Sequence, residues 1–227
     1  MNPIVSVRNL RYTWDDGTEA LRGIDFDLAE SQCIALLGPN GSGKTTFALH
    51  LNGILKGSGT VVIDGLPVEE RNLREIRQRV GLVFQDSDNQ LFMPTVLEDV
   101  AFGLLTSGMD REQAETRARE ALAETGMLHK ETRAPWHLSA GEKKRTAIAG
   151  ILAMTPKLLV LDEPTTFLDP PGQRELVQLL ARLPQAKIII THDVQFARLL
   201  TQEAAFFQDG VIAARGHVDD IAAHFGW

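Results

Sequence analysis

An eight-residue stretch, GPNGSGKT at 38–45, limits this chain most, because of what stands on either side of it. Before it runs CIALLG (33–38), a short unbroken apolar segment of the kind that forms a buried strand; after it runs TTFALHLNG (45–53), which reads as a helix. A buried strand turning through glycines into a helix argues for a parallel sheet. The stretch fits G-x-x-x-x-G-K-[ST]: its glycines let successive backbone N–H groups curl inward, and the helix N-terminus adds partial positive charge where phosphate oxygens sit. Gly38, Pro39, Asn40, Gly41, Ser42, Gly43, Lys44 and Thr45, followed by Thr46, are therefore candidate phosphate ligands. Lys44 is placed to bridge β- and γ-phosphates, and the Thr45 hydroxyl to ligate Mg²⁺.

A metal-bound triphosphate needs a second strand that carries carboxylates. KLLVLDEP (157–164) supplies one, with Asp162 and Glu163 at the strand's end, where ligands of α/β sheets gather. Asp162 is expected to hold Mg²⁺ through water, and Glu163 to act as general base on the water that attacks the γ-phosphate. KIIIT (187–191) puts His192 beyond another buried strand, where it can hold that water and sense the phosphate.

The remaining sequence organises around this core. Residues 3–28 alternate as strands on both sides of the turn DDG (15–17), and GTVVIDG (59–65) belongs with them. Asn72 and Glu75 are spaced as a capping box for a short helix, and VGLVF (80–84) is a further buried strand. Between about 86 and 150 the strand pattern gives way to three helices, TVLEDVAFGLL, REQAETRAREALAETG and SAGEKKRTAIAGILAM. The helix GQRELVQLLARL, the hairpin AAFFQDGVIAARG and a last short helix complete the chain.

Composition excludes several function classes. Across 227 residues, 44% are hydrophobic and the net charge is −7 with both signs interspersed, so the basic footprint of a nucleic-acid binder is missing. One cysteine, Cys33, allows no internal disulfide and reads as a core thiol. With no signal-like run and no apolar stretch near bilayer length, the expectation is a soluble cytoplasmic protein or one held at a membrane by partners.

A kinase or GTPase could share all this, but LSAGEKKR (138–145) argues otherwise. It is a second polar turn opening a helix, hence a second anion site, in a chain that already has one. Taken in order, GPNGSGKT, Gln85 after its strand, LSAGEKKR, LLVLDEP, FLD (167–169) and His192 resemble the nucleotide-binding subunits of ATP-binding cassette (ABC) proteins over nearly the whole chain. That resemblance implies an α/β, P-loop NTPase (RecA-like) core with a parallel sheet, an N-terminal antiparallel β subdomain and a helical insertion subdomain. It implies a single ABC ATPase domain, with the core in about 1–85 and 151–227 and the helical subdomain in 86–150.

The resemblance also assigns roles. Ser139, Gly141 and Glu142 would complete the ATP site of a second subunit, in a dimer that sandwiches two nucleotides head to tail. Asp169 would lie on the loop coupling the two sites. Trp14, with Tyr12 as the alternative, would stack on adenine, and the Gln85 amide would ligate Mg²⁺ when ATP is present. Leu91, Phe92 and Met93 would form an apolar patch under a helix of a membrane subunit, or else pack locally. The signature reads SAGE where SGGQ is usual, adding a methyl at Ala140 and a negative charge at Glu142.

Two longer stretches, VFQDSDNQLFMPTVLEDVAFG (83–103) and AIAGILAMTPKLLVLDEPTTFLDP (147–170), are similar to the ATPases of energy-coupling factor importers of vitamins or of cobalt and nickel ions. This chain ends at Trp227 soon after its last hairpin, without the extra C-terminal helical region usual in that group, so its pairing would rest on nucleotide and membrane subunits. The resemblance implies a peripheral subunit on the cytoplasmic face of the cell membrane, a second ABC ATPase beside it as homodimer or heterodimer, and no nucleic acid. A soluble cassette ATPase of repair or translation is the competing class, disfavoured without long coiled-coil insertions or a second cassette. An exporter cassette is another alternative. A non-hydrolysing module is disfavoured because Lys44 and Glu163 are both present.

Overall fold

The computed structural model describes residues 3–227 and divides into two compact units. The first comprises the chain up to Leu82, Lys157–Glu163 and Pro184–Trp227; the second comprises Val83–Pro156 and Pro164–Leu183.

In the first unit, β1 (Val5–Thr13) and β2 (Glu19–Leu28) form an antiparallel hairpin, and β4 (Ser58–Ile63) adds to the other edge of β1, followed by the short β5 (Leu66–Pro67). The second sheet runs in the order β10 (Val211–His217), β9 (Glu203–Gln208), β3 (Cys33–Leu37), β8 (Ala186–Ile190), β7 (Leu158–Asp162), β6 (Val80–Val83). β3 is parallel to both β8 and β9, and β7 is parallel to β8. Leu36 is level with Ile190, and Ile190 with Asp162, so three neighbouring strands end at one height. The hairpin β9–β10 closes through Asp209 and Gly210, both left-handed as a two-residue turn requires.

The helix after β3, α1 (Lys44–Leu51), buries Phe47 completely. Its ring meets Phe26 of β2 at 5.3 Å and Phe207 of β9 at 5.5 Å, so one side chain ties the antiparallel sheet to the parallel one. Truncating such a residue costs roughly 3–5 kcal/mol. A second apolar cluster joins β3 and β9 to α7 (Val194–Leu200) and α8 (Val218–Phe225), with Phe225 stacked on Phe206 at 3.7 Å.

The capping box expected at Asn72 and Glu75 does not form, although the helix does, as α2 (Leu73–Arg79). Asn72 ends a 3₁₀ turn with φ −106° and ψ −6°, not the extended backbone a cap needs, and its amide donates to the Pro67 carbonyl at 2.9 Å. Glu75 pairs with Arg79 instead.

The second unit is helical: α3 (Val96–Thr106), α4 (Arg111–Glu124), α5 (Ala140–Ala153) and α6 (Pro170–Arg182). Genuine capping boxes start α3, from Thr95 and Glu98, and α5, from Ser139 and Glu142. α4 buries Ala114, Ala118, Ala121 and Leu122, a stripe at helical spacing whose small side chains let neighbouring backbones approach. Among the described residues no helix is long and apolar enough to cross a membrane.

Candidate functional site

Three chain segments leave the level ends of β3, β8 and β7 in the first unit, and each carries a residue singled out from sequence. From β3 comes the loop 38–43. Gly38 (φ 134°) and Gly43 (φ 105°) adopt backbone conformations that side chains rarely take, and a Cβ on either would strike a carbonyl, Phe207 O at 2.1 Å or Ala20 O at 2.6 Å. Only glycine fits both places. The loop is further tied down where Gly210 N–H donates to Ser42 O at 3.2 Å.

Lys44 opens α1 and is buried. Its ammonium donates to the carbonyls of Gly38 (2.7 Å) and Pro39 (2.8 Å) and to Ser42 Oγ (3.3 Å), so it is held in the mouth of the loop. Burial lowers its pKa, opposed by the negative charges of Glu163 and Asp162. Thr45 Oγ1 donates to Asp162 Oδ2 at 2.7 Å. A hydroxyl and a carboxylate oxygen brought together in this way are the hard donors Mg²⁺ takes, and the pair fits that ion.

Glu163 follows Asp162 with φ 44°, left-handed without being glycine, a strain of roughly 1–3 kcal/mol that native chains tolerate chiefly at functional sites. Its backbone N–H donates to Ile190 O at 2.9 Å. Its Oε2 lies 2.9 Å from His192 Nδ1 and accepts from Thr191 Oγ1 at 3.4 Å. The buried carboxylate thus points toward β8, and the exposed imidazole of His192 is oriented by it. A phosphate cradle, a cation in its mouth, a hydroxyl–carboxylate pair and an oriented carboxylate–imidazole pair can together hold a triphosphate and deprotonate a water.

The aromatic pair at the end of β1, Tyr12 in the strand and Trp14 just beyond it, also lies in this unit. Trp14 stands in the hairpin turn, where Gly17 N–H donates to its carbonyl, and is 39% exposed. Tyr12 is half-buried and meets the Trp14 ring edge to face at 5.0 Å. Trp14 is therefore the ring of the two that is open to a ligand.

The second unit holds the other sequence-derived candidates. β6 stops where it does because Phe84 N–H is taken by the Gln90 side chain (2.9 Å), which folds 84–90 into a loop. Gln85 is exposed on that loop. Lys144 of α5, only 2% exposed, donates to the carbonyls of Phe84 (3.1 Å) and Gln85 (2.8 Å), while Lys143 pairs with Asp88 at 2.6 Å. Sequence reading missed both lysines. Ser139 Oγ accepts from Glu142 N–H, and Glu142 accepts in return from Ser139 N–H at 2.9 Å and pairs with Lys130. The Glu142 carboxylate is thus turned back on its own helix rather than standing as a free negative charge, and the Lys130 ammonium, with these N–H groups, holds it below the usual carboxylate range.

Gly141 has open space where a Cβ would point, meeting only Leu168 at 3.8 Å. Asp169 caps α6 by accepting from Gly172 N–H at 2.9 Å. A cavity of about 290 Å³ in this unit is lined by Gln85, Asp88, Ala140, Lys143 and Phe167 among others. Of the apolar trio, Phe92 is 62% exposed and packs edge-on against Phe102 at 5.0 Å, while Asp99 accepts from the N–H groups of Phe92 and Met93.

Comparison with known proteins adds to this geometry. Residues 21–166 match the family described as ABC transporter. A putative ABC transporter ATP-binding protein of Streptomyces coelicolor is 50% identical over 213 residues, 93% of this chain and 82% of that protein. The energy-coupling factor transporter ATP-binding protein EcfA of Methanosphaera stadtmanae is 49% identical over 97% of this chain and 82% of its own length. Among solved structures, CbiO1 from Clostridium perfringens, described as part of the ABC transporter complex CbiONQ, superposes with a TM-score of 0.87 at 38% identity, covering 99% of this chain and 92% of that one. The ATP-binding cassette MJ0796, in a dimeric post-hydrolysis state bound to ADP and Pi, superposes with a TM-score of 0.85 at 28% identity over 94% of this chain and 98% of that one.

Proposed function

The chain belongs to the ABC transporter family of ATP-hydrolysing cassettes, and from that premise we propose that it is the motor subunit of an energy-coupling factor importer for cobalt or nickel ions or for vitamins. The observation that carries the hydrolytic half of the reading is the group at the ends of β3, β8 and β7: Lys44 in its loop, Thr45 on Asp162, and Glu163 on His192. Lys44 exchanges its three loop contacts for β- and γ-phosphate oxygens. Glu163 takes the proton of the attacking water, and His192, held through Nδ1, orients that water. Thr45 and Asp162 would hold Mg²⁺, which offsets phosphate charge when bound.

The pairing half rests on the free face of α5. With Glu142 tied into the cap, the Ser139 hydroxyl, Gly141 and the N–H groups of the first turn meet the nucleotide of a second cassette, in a head-to-tail pair closed by ATP and reopened by hydrolysis. Lys144 ties this helix to the Gln85 loop, so closure at α5 reaches the segment 85–93 that borders the membrane subunit. The chain then sits peripherally on the cytoplasmic face of the membrane. Purifying the tagged chain from detergent-solubilised membranes of its host tests this: recovery of an integral-membrane subunit together with a second cassette supports it, and recovery of soluble partners alone refutes it.

A further inference from the structure

We propose that His50 and Tyr12 are positioning residues for adenine, forming with Trp14 an aromatic ladder that ties the base platform to the phosphate-loop helix. The inference rests on the reading of Trp14 as the adenine-stacking ring. Tyr12 is the penultimate residue of β1, and Trp14 stands just past the strand's end in the hairpin turn. Their ring centroids are 5.0 Å apart at 88°, and Tyr12 meets the His50 ring at 4.9 Å and 73°. Both contacts have the edge-to-face geometry that aromatic pairs favour.

His50 is anchored in turn. It is the seventh residue of α1, 2% exposed, and its Nδ1 lies 2.7 Å from the carbonyl of Thr46, one turn earlier. A carbonyl can only accept, so Nδ1 carries the proton and the ring is fixed in one tautomer. Its other nitrogen, Nε2, is buried and has no hydrogen-bond partner. A leucine would fill the same space without leaving an acceptor unpaired, so packing alone does not account for an imidazole here. What the imidazole supplies is a ring whose orientation is locked to α1, the helix that begins at Lys44. Through it the two halves of the nucleotide site keep a fixed separation.

The test is equilibrium binding of ATP and of inorganic tripolyphosphate, which lacks the base, to a small set of variants. Trp14→Ala should weaken ATP roughly 5- to 150-fold, the range of a lost base–aromatic stack, and leave tripolyphosphate unchanged. His50→Leu should weaken ATP roughly 2- to 10-fold, the range of one aromatic edge contact, again without touching tripolyphosphate. His50→Phe, which keeps a ring but not the hydrogen bond, should recover most of the loss. Added to Trp14→Ala, His50→Leu should do nothing more, because its effect passes through that ring. The inference is overturned if His50→Leu is silent while Trp14→Ala is not, if it weakens both ligands equally, or if its effect persists without Trp14. An unchanged ATP affinity in Trp14→Ala would instead remove the adenine reading itself, and the ladder's role with it.

Discussion

Replacing Glu163 by Gln removes one charge and one basic site while keeping the volume of the side chain. In the structure Glu163 Oε2 lies 2.9 Å from His192 Nδ1 and accepts from Thr191 Oγ1 at 3.4 Å, and an amide oxygen can keep both contacts. The backbone at φ 44° is as strained for Gln as for Glu, so the fold should not notice the change. On the proposed mechanism, what is lost is the acceptor of the water's proton. A positioned general base contributes about 10²- to 10⁴-fold, or about 2.7–5.4 kcal/mol of barrier, and the fall in turnover should lie in that range. Binding should move the other way. Glu163 and Asp162 both put negative charge beside Lys44, where the triphosphate must sit, so removing one of them favours the bound anion. The assay is phosphate release at saturating Mg-ATP alongside equilibrium binding of ATP. Undiminished turnover with intact binding would take the general base away from Glu163.

Three further outcomes are expected. Asp162→Asn keeps an acceptor for Thr45 but loses its charge, so the gain in ATP affinity on adding Mg²⁺ over EDTA should shrink roughly 10- to 100-fold while binding in EDTA persists; a full Mg²⁺ response would contradict the assignment. Glu142→Ala should lower stability at pH 7 by about 1 kcal/mol through loss of the cap. Because Lys130 holds that carboxyl below its ordinary value of 4.5 in the fold, its contribution is complete above pH 4.5 and fades as the pH falls through the folded value. Urea titrations of wild type and variant should therefore converge in acid, and a constant gap would show that the charge is not responsible. Ser139→Arg should leave ATP binding to the single chain intact and prevent pairing, with a variant that still pairs counting against the head-to-tail arrangement.

The parts of the site that sequence made legible are those whose chemistry is written in adjacent residues. The glycines of 38–43 are legible because a backbone that curls around phosphate has no room for Cβ, as Gly38 against Phe207 O makes plain. Asp162, Glu163 and His192 are legible because short apolar runs end there, and the register of β3, β8 and β7 then brings those ends level. The capping-box pattern shows where local reading fails. Asn72 and Glu75 have the spacing and form no box, since the preceding 3₁₀ turn and the Pro67 carbonyl claim the Asn72 side chain. Ser139 and Glu142 have the same spacing and form one, which changes the meaning of an acidic residue in the signature turn. Lys144 and His50 were not legible at all. Each acts through a partner 59 residues away or on a neighbouring strand, and nothing local distinguishes a lysine bound to the Gln85 carbonyl from a solvated one.

The central claim, that ATP is closed between two cassettes, is tested most directly by sedimentation of the Glu163→Gln chain, which should bind nucleotide and consume it only slowly. With Mg-ATP, alone or mixed with the second cassette of its membrane complex, the 25.0 kDa chain should shift to the mass of a pair, and it should remain single with ADP. A chain that stays at its monomer mass with saturating ATP in both mixtures would contradict the account.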